Sequence, residues 1–258
     1  MCRIGLVVIV IFSIVFVQDD VSAGSAVDIL DFPYMAAVLF REWETSVFQY
    51  QCNGVIISNR HVLTTATCIG DSSRRDIRVR VGSTFPNKRG QIHTVDIVRK
   101  HFKFSPDLDA DIAVLTLSEP LKLSYRVAVV NIPERDVILK AMPLQILFTY
   151  LENGIITNVT YYSKEGLTHC KETGMELETT VRCNNYLMTK LSFKDLVTEN
   201  MFCIFLRYIG DCSSLESPGT PLVINGTVYG IYSWGRWGDS SLKVFTRVSA
   251  FSEWIKNF

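Results

Sequence analysis

Histidine is scarce in this chain. Only His61, His93, His101 and His169 occur in 258 residues, so chemistry that needs an imidazole base is confined to four positions. Cys-x-x-Cys and His-x-x-His pairs are absent, which removes the usual ligand spacings of a structural zinc site. No metal and no cofactor are expected. Net charge is also absent, because 26 Lys and Arg balance 26 Asp and Glu. The chain therefore has no electrostatic footprint for nucleic acid or for an anionic membrane surface. Helical periodicity is almost missing, and there are no internal repeats or low-complexity linkers. No Lys or Arg lies between Arg3 and Arg41.

What is present points to a secreted β protein. Met1-Cys2-Arg3 leads into an apolar run over residues 6–17, which stops at Gln18-Asp19-Asp20. A spanning helix takes about 20 apolar residues, so this run suits a secretory signal peptide instead. Val21-Ser22-Ala23 offers small residues for cleavage, giving a signal peptide over 1–23 and a mature chain over 24–258. No later stretch is apolar enough to span. Six cysteines remain after cleavage: Cys52, Cys68, Cys170, Cys183, Cys203 and Cys212. An even count in an oxidising compartment suggests three disulfides. Asn158-Val159-Thr160 and Asn225-Gly226-Thr227 are glycosylation sequons, implying that Asn158 and Asn225 are at the surface if used.

From residue 28 onward, short β-branched and aromatic runs alternate with turn residues. Strands are predicted over 34–40, 54–58, 61–65, 77–81, 94–99 and 111–117, then over 143–150, 175–182, 221–224, 227–234 and 243–248. Arg78-Val79-Arg80-Val81 alternates with period two, as a half-buried strand does. Residues 151–174 read as a long surface loop. Phe251, Trp254, Ile255 and Phe258 recur at i, i+3, i+4 and i+7, one face of a short C-terminal helix with Ser249 as candidate N-cap. Many short strands with one short helix indicate an all-β fold of sandwich or barrel type.

Several motifs resemble the trypsin-like serine proteases, in the family's order and across nearly all of the mature chain. His61-Val62-Leu63-Thr64-Thr65-Ala66-Thr67-Cys68 resembles the stretch ending Val-Leu-Thr-Ala-Ala-His-Cys. Cys52-Asn53-Gly54-Val55-Ile56-Ile57-Ser58 resembles Cys-Gly-Gly-Ser-Leu-Ile-Ser. Asp109-Ala110-Asp111-Ile112-Ala113 resembles Asp-Asn-Asp-Ile-Ala. Met201-Phe202-Cys203 resembles the text ahead of the specificity pocket. Ser233-Trp234-Gly235 resembles the strand that pairs with a bound peptide, and Val244-Phe245-Thr246-Arg247-Val248 the closing strand. The resemblance implies two packed six-stranded antiparallel barrels, about 30–135 and 136–258, with a cleft between them and a short C-terminal helix.

The departures fall on the catalytic machinery. Thr67 stands where the family has its histidine, and a threonine hydroxyl has no useful basicity near neutrality. The nucleophile motif Gly-Asp-Ser-Gly-Gly-Pro faces Leu215-Glu216-Ser217-Pro218-Gly219-Thr220-Pro221. A gapless count puts Pro218 at the nucleophile, removing both a hydroxyl and an oxyanion-hole N–H. A one-residue insertion puts Ser217 there. The sequence leaves both registers open. Asp111 matches the aspartate that would orient the histidine. Without that histidine, it is expected to accept hydrogen bonds from Thr67 and Ser233. The Lys or Arg of a tryptic activation site is missing as well.

The resemblance also implies disulfides Cys52–Cys68 and Cys183–Cys203, the latter beside a pocket-side helix, and leaves Cys170 and Cys212 as a non-standard pair. The expected protein is a secreted, catalytically inactive serine protease homolog. Such homologs are frequent in arthropods and similar in role to adaptors or regulators in immune or reproductive-fluid proteolysis. It would bind protein partners such as proteases, their substrates or receptors, using Ser233, Trp234 and Gly235. One alternative is an active endopeptidase using Ser217 with an atypical base. Another is a structural secreted glycoprotein.

Overall fold

Strands dominate because β-branched and aromatic residues fit a pleated, half-buried surface. A computed structural model describes residues 25–105, 107–134, 158–162, 167–170, 175–178, 180–191, 197–206, 217–236 and 239–258. After a two-residue strand β1 (Ser25–Ala26) come β2 (Met35–Phe40), β3 (Gln49–Ile56), β4 (His61–Thr64), β5 (Ile77–Val81), β6 (Gln91–Lys100) and β7 (Ala113–Leu117). Strands β2 to β7 close into an antiparallel barrel in the order β2-β3-β4-β7-β6-β5. Closure leaves no free sheet edge.

The second half is an antiparallel sheet built from β8 (Asn158–Tyr162), β9 (Leu167–Cys170), β10 (Met175–Glu178), β11 (Met201–Leu206), β12 (Pro221–Ile224), β13 (Thr227–Arg236) and β14 (Asp239–Arg247). Its order is β1-β9-β8-β12-β13-β14-β11-β10. Among the described residues this sheet has eight strands where six were expected, with β1 and β10 at its two ends. Helix α1 spans Ala66–Ile69, α2 spans Thr180–Leu191, and α3 spans Ser252–Ile255.

The barrel interior is filled by Val38, Ile56, Val79 and Leu115. A second apolar layer joins the two halves: Val55, Leu63 and Val114 from the barrel meet Val223, Ile231, Val248 and Phe251. Strand β7 is buried on both faces, Leu115 facing the barrel interior and Val114 the shared layer. The residues just ahead of β7 therefore emerge at the junction, and that places Asp111.

Several expectations need correction. Residues 158–162 and 167–170, read as loop, pair as a hairpin, Thr160 opposite His169. The strand expected over 175–182 ends at Glu178, and α2 begins at Thr180. In that helix Cys183 and Leu187, four residues apart, are both buried, and the Asn184 amide binds the backbone of Val197 in both directions. Arg80 is not solvent-facing. It is buried and donates to the Arg89 carbonyl. Ser249 caps no α-helix; it lies in a 3₁₀ turn over Val248–Phe251, ahead of the short α3. The expected signal peptide, the strand over 143–150 and Cys212 lie outside the described residues.

Phe245 is the largest fully buried side chain, stacked on Phe202 at 5.5 Å and edge-on to Tyr232 at 5.7 Å. Phe245→Ala should cost about 3–5 kcal/mol by opening a cavity there. Urea unfolding checks this, and a loss well under 1 kcal/mol would mean that the cluster is not a packed core.

Candidate functional site

Thr64 ends strand β4, and the hydroxyl of the next residue, Thr65, accepts the Cys68 N–H at 3.2 Å as N-cap of α1. Such caps satisfy one of the free N–H groups at a helix start. The Cys52–Cys68 disulfide, with Cα atoms 6.0 Å apart, ties this turn to β3. Together they fix Thr67 in space. Its N–H donates to Asp111 Oδ1 at 2.7 Å. From the second sheet, Ser233 donates to Asp111 Oδ2 at 2.5 Å, and Thr246 donates to the Asp111 carbonyl at 2.9 Å.

Asp111 is fully buried. Burial pushes its carboxyl above the usual carboxylate range. The opposing pull comes from the Ser233 hydroxyl, then the Thr67 N–H and hydroxyl, and the Ala66 N–H. The group is thus a hydrogen-bond acceptor for both halves.

No described histidine bonds to Asp111. His61 Nδ1 lies 2.8 Å from Ser58 Oγ, His93 is 3.2 Å from Gln91, and the His101 ring accepts the Lys103 N–H at 3.3 Å. His101 also packs against Phe251 and Trp254. Burial lowers all three below the ordinary imidazole range.

The turn over 217–220 lies against the barrel. The Pro218 carbonyl accepts the Asn53 N–H at 2.9 Å, and the Gly219 N–H donates to the Tyr232 carbonyl at 2.8 Å. Gly219 has φ of +80°, and a Cβ there would sit 2.0 Å from the Asn53 carbonyl oxygen. Only glycine fits. The Asn53 amide donates to Thr220 Oγ1 at 2.7 Å, Thr220 donates to the Ser217 carbonyl at 2.7 Å, and Thr64 donates to the Asn53 carbonyl at 2.7 Å. Asn53 and Thr220 were not singled out from sequence. Their signal was legible, since both stand where the family text has glycine.

A cleft of about 860 Å³ opens here, lined by Thr67, Pro218, Gln51, Phe40, Arg41 and Asp76 among others. Pro218 and Thr67 share its wall, while Ser217 is half-buried beside it. Arg41 is paired with Asp76 at 3.0 Å. On the other side of the junction, β13 pairs with β12 only as far as Ile231. From Ser233 to Gly235 it pairs with β14 alone among the described strands. Ser233 is buried, while Trp234 and Gly235 are half-buried, and they border an edge with no neighbouring strand among the described residues. A second disulfide, Cys183–Cys203, joins α2 to β11. Cys170 lies in β9, away from both of these bridges in sequence. Asn158 lies in β8. Asn225 is exposed at the β12–β13 turn, with φ of +49° ahead of Gly226 at +71°.

Two packed antiparallel β units, a cleft at their junction and a buried aspartate beside it define the architecture of the chymotrypsin-like two-domain proteins. The family model for trypsin matches residues 21–255, and the chain belongs to the trypsin family. It is 29% identical over 242 residues to a trypsin of Phaedon cochleariae, covering 92% of this chain and 87% of that one. It is 31% identical over 245 residues to alkaline trypsin A of Manduca sexta, covering 91% and 89%. Among solved structures it is similar to the scabies mite inactivated protease paralogue S-D1, with TM-score 0.72, 21% identity, and coverage of 92% and 96%. The paralogue S-I1 gives TM-score 0.71 at 24% identity, covering 92% and 98%.

Asp111 makes a signed prediction about pH. Its folded pKa is raised, so the native state holds the proton more tightly than the unfolded chain. Its contribution to stability is then complete below the unfolded value of about 3.9 and is lost as pH rises through the raised value. Asp111→Asn keeps an acceptor for Thr67 but cannot ionise, so it should gain on wild type as pH rises above about 4. Asp111→Ala strands the Thr67 N–H and should cost about 2–3 kcal/mol. Urea unfolding at several pH values checks both; an Asn-minus-wild-type difference that shrinks with rising pH would contradict the assignment.

Proposed function

We propose that this chain is a secreted trypsin-family protein that binds polypeptide at its cleft without cutting it, as an adaptor or regulator in an extracellular proteolytic system. The observation that carries this is the identity of the residue at this place: Thr67, whose main-chain N–H donates to Asp111 Oδ1 at 2.7 Å, brings a hydroxyl beside the buried carboxyl and no imidazole. The position that would need a proton-cycling base holds a residue with no basicity near neutrality. Pro218 lines the same cleft as Thr67, which supports the gapless register; that register takes away nucleophile and oxyanion donor together.

Binding is supported by the open cleft and by the Ser233–Trp234–Gly235 edge. An extended segment can add there as a strand, main chain to main chain. Secretion is supported by the Cys52–Cys68 and Cys183–Cys203 bridges, which persist in oxidising compartments, and by the N-terminal apolar run. The exposed Asn225 turn is a suitable glycan site.

The fold serves either function, since relatives named trypsins and structures named inactivated protease paralogues share it. The trypsin names favour the second reading, an active endopeptidase using Ser217. A fluorophosphonate probe separates the two. The purified secreted protein, folded by circular dichroism, should carry no label under conditions that saturate an active trypsin. Stoichiometric label on Ser217, lost in Ser217→Ala, would overturn the non-catalytic reading.

A further inference from the structure

A peptide laid along the Ser233–Gly235 edge would turn alternate side chains toward the sheet. One of them would arrive beside Gly235, whose missing side chain leaves room for a ligand to approach. In this chain that room is already filled. A bulge between Tyr232 and Trp234 brings Tyr232 and Gly235 onto the same face of β13. The Tyr232 hydroxyl oxygen lies only 2.7 Å from where a Cβ on Gly235 would be, and Lys243 Cδ lies 3.6 Å from the same point.

Lys243 sits directly across from Gly235 on β14 and is only 2% exposed. Lysine is almost never buried to that extent. Its ammonium lies 5.8 Å from the centre of the Tyr232 ring, and Tyr232 is itself 4% exposed and wedged against Phe245.

We propose that Tyr232 and Lys243 close, from within, the recess behind the Trp234–Gly235 edge, so that a bound polypeptide is held there by its main chain and is denied a side-chain pocket. The chain's own lysine takes the space that a partner's long side chain would need. Recognition at this edge is then tolerant of partner sequence. Selectivity falls to the cleft beside Thr67, whose wall carries Arg41, Glu42, Asp71 and Asp76. This rests on the cleft being a polypeptide-binding cleft, and it does not depend on whether Ser217 is reactive.

Lys243→Gly removes a butylammonium's worth of side chain. The variant should therefore bind n-butylammonium chloride, with a saturable rise in Tm of several degrees as ligand binds the folded state alone. Wild type and Lys243→Met, which stay filled, should not respond. A folded Lys243→Gly protein that does not respond would overturn the proposal, as would a wild-type protein that responds equally. Should that variant fail to fold, amine acetylation of the wild type decides. Lys243 should react at least about tenfold more slowly than the exposed Lys122, because it must wait for local opening. Equal rates would mean an open recess. None of these readouts involves a serine, so a fluorophosphonate result leaves them untouched.

Discussion

One buried carboxyl ties the two halves of this protein together at the site. Asp111 accepts from Thr67 in the first barrel and from Ser233 in the second sheet, and its carbonyl accepts from Thr246. A carboxyl at full burial is costly unless its lone pairs are met. Here each oxygen has a donor. Asp111 thereby fastens one half to the other, and its raised pKa follows from burial outweighing those bonds.

A second set of bonds acts on the neighbouring turn. Thr64, Asn53, Thr220 and Ser217 form a chain of contacts at 2.7 Å each, and Gly219 presses its backbone against Asn53. A turn meant to cycle through catalysis needs its amides free to converge on substrate. Here the Gly219 N–H is spent on the Tyr232 carbonyl, and the Pro218 carbonyl and Thr220 hydroxyl accept from Asn53 of the barrel. Two side chains that replace glycines in the family text have found each other across 167 residues of chain. A fully satisfied buried network of this kind rigidifies and specifies one arrangement. The space behind Gly235 is likewise occupied, by the Tyr232 hydroxyl and the Lys243 side chain.

The first barrel was largely legible in sequence because its strands are bounded by turn residues and carry dense β-branched runs. Strand β5 was found at its true limits, 77–81. Alternation misled on one point: Arg80 reads as solvent-facing, yet its guanidinium is paid for by a backbone carbonyl and stays inside. The second half was harder. Its strands over 158–162 and 167–170 carry polar residues that look like loop, and only pairing with β12 and β1 makes them sheet. Helix α2 was masked by the β-like text before it, and its buried Cys183 and Leu187 acquire meaning only against β11 and β14. At the site, Thr67 and Asp111 could be named from motif position. The roles of Asn53, Thr220, Tyr232 and Lys243 could not, because each depends on a neighbour more than eight residues away in the chain or across a bulge.

The central claim is that this cleft holds polypeptide and leaves it intact. The most direct measurement is a degenerate peptide mixture incubated with the purified protein and read for new termini by mass spectrometry, beside an active trypsin. The account predicts no new termini beyond those in buffer, with the peptides recovered whole. New termini that grow with protein concentration and vanish in Ser217→Ala would contradict it.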